Sequence, residues 1–402
     1  MTDPTLYAGA AAADITPTDL SNALLAGFGL ERRAVGVLEP LEAGALYLRQ
    51  GDVEVALVTL DLVGFLRPWV ERLRARTGFA DPRNVVCCAT HTHSAPDMLG
   101  MWGRAWLRVI PRSSGIDPAY MELVTERAAD AVRQARASAR PARVRPASFE
   151  VPERWTRNDR QGARFDTATT LAVESADGVG GERIATVLNF ASHPETLWSR
   201  NKQVSPDFPG AFRRRSRTLA GGVPLYFSGP LGAMLTPNVP VEASTDERRA
   251  YAETLGTTLA ELTETALAAA TPTGTDAPAL AHTQRELSLA SDNWRMRLAF
   301  RLGFLDPDVR KNRVHSEMHH VCLGGLEILT TPGEAVPEVG HQFRDRMHAA
   351  HRMLLCLCTD EIGYVLSPEM FDDERYKYEV TMSLGPDTAP ALLNAATSLL
   401  SS

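Results

Sequence analysis

The chain has 402 residues, 44% hydrophobic and 23% charged, which suits an ordinary globular protein able to bury a sizeable core. Its net charge of −7 excludes a general nucleic-acid binder, because phosphate binding needs a basic surface. No apolar run reaches the roughly 20 residues that cross a bilayer, so stable membrane insertion is not expected.

Met1 to Thr5 is polar and leads at once into a strand, Leu6 to Asp14, so no signal peptide is expected. Gly44 to Arg49 and Val53 to Leu60 flank the turn Gln50-Gly51-Asp52 and read as a hairpin. Arg67 to Arg76 has helical periodicity. Asn84 to Thr90 is a short continuous apolar run, the pattern of a strand buried on both faces. Pro118 to Ser138 is an amphipathic helix, while Thr169 to Glu174 and Arg183 to Phe190 are strands. A helix from Pro209 to Ala220 precedes the strand Val223 to Ser228, and the longest helix runs from Thr245 to Ala270. The Thr271-Pro272-Thr273-Gly274 stretch is linker-like.

Beyond it, Thr283 to Leu289, Val321 to Leu329 and Met353 to Cys358 read as strands, with helical segments at Asn293 to Phe304 and Ala335 to Ala350. Strands alternating with helices predict an α/β fold of mixed sheets flanked by helices. Motifs on both sides of the linker complete one site, so residues 1–402 are read as a single domain. The five cysteines are odd in number and sit in apolar runs, which predicts buried reduced thiols and a cytoplasmic setting. Two basic runs, Arg154 to Arg164 and Arg213 to Arg217, read as solvated faces.

Polar, metal-competent residues follow the apolar strands, at the carboxyl ends where open α/β sheets place their sites. His91 and His93 follow one strand and His193 another; Glu334 follows the strand ending at Leu329, and Tyr364 the one ending at Cys358. Singly, each has an ordinary explanation as a loop or turn residue. Together, two imidazoles, a carboxylate and a phenolate make a first shell suited to zinc. On an extended segment, residues two apart point to opposite sides, which predicts that His91 and His93 face different tasks. His315, His319 and His320 have metal-like spacing but no strand-end position, and His341, His348 and His351 fit a helix face. The segment Met98 to Pro111, with Met101, Trp102, Trp106 and Leu107, is a candidate pocket wall or lid, which implies a small-molecule substrate with an apolar portion.

These motifs resemble those of the neutral/alkaline (non-lysosomal) ceramidases and their bacterial relatives, over Ala8 to about Pro386. The similarity is carried by Ala13-Asp14-Ile15-Thr16-Pro17, Thr90-His91-Thr92-His93-Ser94, Phe190-Ala191-Ser192-His193-Pro194, Ser205-Pro206-Asp207-Phe208-Pro209-Gly210 and Pro332-Gly333-Glu334. Tyr364 with Tyr376 twelve residues on, and then Gly385-Pro386, complete it. The resemblance implies that zinc is held by His91, His193, Glu334 and Tyr364, that His93 and Tyr376 line the reaction centre, and that Arg157, with Arg160 its rival, holds the polar head of the substrate. The family's serine, in Gly-Asp-Val-Ser-Pro-Asn, is replaced here by Thr236 in Ala233-Met234-Leu235-Thr236-Pro237-Asn238, without the aspartate. Either Thr236 attacks with His93 as base, or an activated water does. The further immunoglobulin-like domain of ceramidases is not expected in this chain. The implied activity is zinc-dependent hydrolysis of a linear amide. The rivals are another ester or lactone hydrolase, an acyltransferase or cyclase on the same scaffold, and a non-catalytic metal- or ligand-binding homologue.

Overall fold

Apolar patterning places the strands and helices, and the sheet edges then place the site. The structure, a computed structural model, describes residues 4–106, 110–111, 113–176, 181–270, 279–301, 309–310 and 313–401. Eight strands form one sheet in the order Val223–Ser228, Arg183–Phe190, Thr167–Ser175, Arg140–Glu150, Leu6–Asp14, Glu42–Gln50, Val53–Leu60, Val85–Ala89. Its two outermost pairs are parallel, and the pairs between them are antiparallel. A five-stranded sheet contains Ala281–Ala290, Arg313–Leu323, Leu326–Thr330 and His351–Leu355, with Val309–Arg310 on the second of these.

The layers run helix, sheet, sheet, helix. Helices Arg67–Arg74 and Pro118–Ala137 cover part of the outer face of the first sheet, and Phe208–Ala220 with Thr245–Ala269 cover the rest. Its inner face meets the second sheet, where Leu46, Leu57, Val86 and Val187 pack with Val321, Ile328 and Met353. Helices Pro337–Arg344 and Thr388–Leu400 close the far side. Val85–Ala89 lies between two cores: Val85 and Cys87 enter one, Val86 and Cys88 the other. Period-two geometry therefore demands the unbroken apolar run seen there. Truncating any of these buried aliphatics to alanine costs about 2–5 kcal/mol.

The first sheet curls until its outer strands meet. A Cβ on Gly44 would stand 2.3 Å from Leu225 Cδ2, so only glycine admits the returning strand. Thr59 Oγ1 donates to the Tyr226 carbonyl at 2.6 Å, and Ser228 Oγ to the Thr90 carbonyl at 2.8 Å. The chain leaving Val85–Ala89 thereby comes beside the chain leaving Arg183–Phe190.

Several expectations need correction. Val321 to Leu329 is not one strand: Gly324 and Gly325 take φ of 54° and 84° and form a two-residue hairpin turn, pairing Leu323 with Leu326. Arg140–Glu150 is a strand that its two prolines and three arginines conceal. Leu6–Asp14 borders it only at Arg140 and Pro141, so the missing N–H of Pro146 breaks no ladder on that side. The Ala335 to Ala350 helix is confined to Pro337–Arg344. Cys88 and Cys358 form a disulfide between the sheets, because strand alternation aims Cys88 inward at a neighbour 4.0 Å away between Cα atoms; Cys87, Cys322 and Cys356 remain thiols. Arg213 is buried and paired with Asp61 at 2.5 and 2.9 Å, not solvated. The linker-like Thr271 to Gly274 and Leu107 lie outside the described residues, as does the end of the Asn293 to Phe304 helix, described here as Trp294–Arg301. No described helix is long and apolar enough to cross a membrane.

Candidate functional site

Three buried imidazoles meet at the strand ends. The rings of His91 and His193 lie 5.0 Å apart, those of His91 and His93 4.9 Å, and those of His93 and His193 5.6 Å. One ring nitrogen from each lies within 4.8 Å of the others, a grouping that can hold a metal ion. The expectation that His91 and His93 point to opposite sides fails. His91 takes a left-handed φ of 68°, so the segment is not extended and period-two alternation does not apply.

The outer nitrogens of two of the rings are already occupied. His91 Nδ1 lies 2.5 Å from the Val63 carbonyl, and His193 Nδ1 lies 3.0 Å from the Leu235 carbonyl. A carbonyl can only accept, so both Nδ1 atoms carry a proton, and Nε2 is the atom each ring would turn to a metal ion; without one it donates toward the Glu334 carboxylate. Those Nε2 atoms face Glu334, whose Oε2 is 3.2 Å from His193 and 3.4 Å from His91. Burial opposes the ionised form of Glu334, but His91 and His193 hold it far below the usual carboxylate range.

Glu334 and Tyr364 arrive together. The two-residue strand Glu334–Ala335 pairs in parallel with Tyr364–Val365, placing the carboxylate and phenol residues in register, and Glu334 N donates to the Gly363 carbonyl at 3.0 Å. Tyr364 is buried, and burial first, then the Glu334 charge, push its phenol well above the ordinary value.

His93 has a partner that the strand-end pattern did not single out. Its Nδ1 is 3.1 Å from Glu195 Oε2, close enough for an ion pair though outside hydrogen-bond angles. Burial lowers the His93 pKa to about 4, against the pull of Glu195. Glu195 is fully buried as well; His93, His193 and the hydroxyl of Thr236 outweigh that burial and keep it down at about 2. At neutral pH the pair is therefore a neutral imidazole beside a carboxylate. Glu195 follows the Arg183–Phe190 strand by five residues, so the same strand-end rule could have flagged it; standing after the more conspicuous His-Pro pair, it was passed over.

The remaining expected residues stand as follows. Thr236 is buried on the short strand Leu235–Pro237, opposite Arg157 on Thr156–Asn158. The Arg157 guanidinium donates to Asp159 at 2.7 Å and to the carbonyls of Val239 at 2.6 Å and Pro237 at 3.3 Å, bracing that strand. Arg160 pairs with Glu379 at 2.7 Å. Tyr376 is buried with its hydroxyl 3.5 Å from Glu338. Neither Arg157 nor Tyr376 is among the residues lining the adjoining cavity. Tyr378 does line the adjoining cavity, and its ring centroid is 6.0 Å from that of Tyr364.

That cavity, about 60 Å³, has a polar floor of His91, His93, Glu334, Glu361 and Tyr364. Its walls are apolar: Val63, Leu99, Met101, Trp102, Met296 and Met382. Glu361 is a second site residue that the strand-end reading passed over, though it too follows the strand ending at Cys358. Burial first, then the nearby Glu334, push its carboxyl well above the usual range.

The fold is one already seen in ceramidases. The chain superposes on the neutral ceramidase from Pseudomonas aeruginosa with a TM-score of 0.81, at 16% identity, over 98% of this chain and 74% of that one. A ceramidase solved as a complex with C2 gives 0.78, also at 16% identity, over 98% and 75% of the two chains. No family model and no curated protein sequence matches the chain. The ceramidase fold thus spans nearly all of it, as the sequence motifs led one to expect.

Proposed function

We propose that this protein is a zinc-dependent hydrolase that cleaves a linear amide, an N-acyl amine, in a single ceramidase-like domain. The carrying observation is that His91 Nε2 and His193 Nε2 converge on Glu334 Oε2 while carbonyls fix both Nδ1 atoms. The donor set fits the ion. Two neutral imidazoles and a carboxylate are a common catalytic zinc set, with Tyr364 adjoining as the fourth donor. Bound there, zinc supplies Lewis-acid polarisation of an acyl carbonyl and acidifies water.

His93 moves the protons. Neutral, with Nδ1 turned to Glu195, it has Nε2 free to accept a proton from the attacking group and return it to the leaving amine. Glu195 stabilises the imidazolium that forms in between. Thr236 lies beside Glu195; we take activated water as the nucleophile and give the threonine a positioning role. Arg157 and Tyr376 keep their places as braces of the pocket frame; oxyanion stabilisation would require them to leave Val239 and Glu338. The Leu99, Met101 and Trp102 wall supports a substrate with an apolar portion.

The test is metal content and turnover measured together. Wild type should hold zinc and hydrolyse members of an N-acyl amine panel with incorporation of solvent oxygen. His91→Ala should lose about one ion per chain and the activity. Unchanged metal in the variant removes His91 from the site; bound metal without turnover on amides or esters points to a binding protein; product lacking solvent oxygen points to acyl transfer.

A further inference from the structure

The hairpin of the second sheet carries another group of metal-competent side chains, remote from the imidazole cluster in sequence and fold. His320 and Cys322 stand two residues apart on Arg313–Leu323, so strand alternation puts both on one face. Glu327, on the returning strand, is the direct cross-strand partner of Cys322 and joins that face. His320 Nε2 lies 2.9 Å from Glu327 Oε1 and 3.4 Å from Cys322 Sγ, and the donor atoms all lie within 4.8 Å of one another. Around a tetrahedral zinc with bonds of about 2.0–2.3 Å, such donors stand roughly 3.3–3.6 Å apart. Small side-chain shifts span the difference.

The carboxylate is also held from behind. Glu327 Oε2 accepts the backbone N–H of His348 at 2.6 Å and of Ala349 at 3.2 Å, leaving Oε1 for the cluster. Support of this kind fixes a ligand's orientation in metal sites. Glu327 is buried, whereas His320 and Cys322 are partly exposed, which gives an ion a way in.

We propose that His320, Cys322 and Glu327 form a second metal site, for zinc or a similar borderline divalent cation, that clamps the Gly324-Gly325 hairpin to the segment entering His351–Leu355. A thiolate and an imidazole select against calcium and magnesium, which take oxygen donors. Burial and the Glu327 charge raise the Cys322 thiol above its ordinary value. Ion entry therefore releases the thiol proton to solvent as the sulfur–metal bond forms, and binding tightens as pH rises. This site does not depend on the proposed hydrolase activity.

Cobalt(II) separates the two sites, because only this one places a thiol among its proposed donors; the other free thiols, Cys87 and Cys356, are buried. Metal-stripped full-length protein titrated with cobalt should develop a thiolate-to-cobalt charge-transfer band in wild type and in His91→Ala. The band should vanish in Cys322→Ser and shift in His320→Gln, with bound metal falling from about two to about one per chain in the serine variant. Zinc should raise the melting temperature of His91→Ala and lose that effect when Cys322→Ser is added. Absence of the band in folded wild type, or its persistence in folded Cys322→Ser, overturns the proposal. If the serine variant does not fold, an unaltered band in His320→Gln overturns it instead.

Discussion

The floor and the walls of the cavity are built by opposite means. On and beneath the floor, backbone groups pin the side chains: Val63 holds His91, Leu235 holds the adjoining His193, and the pairing of Glu334–Ala335 with Tyr364–Val365 sets carboxylate beside phenol. The walls come from a loop, a short helix and thioether side chains, with Met101 and Trp102 only partly buried. A pinned polar floor can hold a cation without reorganising, whereas methionine-rich walls adapt to the shape of what enters. The floor would decide what chemistry is done, and the walls on which substrate.

Four substitutions sharpen or break that contrast. His91→Ala strikes the floor hardest, and the loss of Lewis-acid stabilisation should cost about 10³-fold or more in kcat/KM. A loss below tenfold would break the comparison. Glu195→Gln keeps the shape and removes the charge behind His93, so kcat should fall by about 10²-fold with metal content unchanged; a fall in bound metal instead would make His93 a ligand. Trp102→Ala should raise KM about tenfold for long-chain substrates while leaving kcat within a few-fold, the signature of lost uniform binding to a wall. An equal fall in kcat would put Trp102 with the floor. Thr236→Ala should do least, within about threefold in kcat, because only the influence of its hydroxyl on Glu195 is lost. Inactivity of that variant with metal still bound would make Thr236 the nucleophile.

Much of this was legible in the residues. The ends of Leu6–Asp14, Val53–Leu60, Arg183–Phe190 and Val223–Ser228 follow from apolar runs stopped by turn residues, and the strand-end rule marks His91, His193 and Glu334. What the pattern hides has physical causes. Arg140–Glu150 alternates arginines with small apolar residues around two prolines, a sequence that argues against an inner strand until its one-sided pairing is seen. His91 and His93 share a site only because of one left-handed residue, and no periodicity encodes that. Glu195 and Glu361 are two among 49 acidic residues; position after a strand narrows that field, but only burial against other charges singles them out. Arg157 and Tyr376 illustrate the reverse: a motif fixes their place in the chain, while the direction of their side chains depends on Val239 and Glu338.

The convergence of His91, His193 and Glu334 also bears on how the polypeptide would acquire the proposed cation. His193 and Glu334 are 141 residues apart in the chain, so a large loop-closure entropy must be overcome before the two can meet. Such distant partners come together late on a folding route dominated by non-local strand pairing. If the proposed site binds an ion, that ion would dock into a scaffold already assembled by hydrophobic burial and would not nucleate the fold as it does in a zinc finger. On the proposed reading the apoprotein would be a folded, loadable species, and metallation a ligand-binding equilibrium that follows folding.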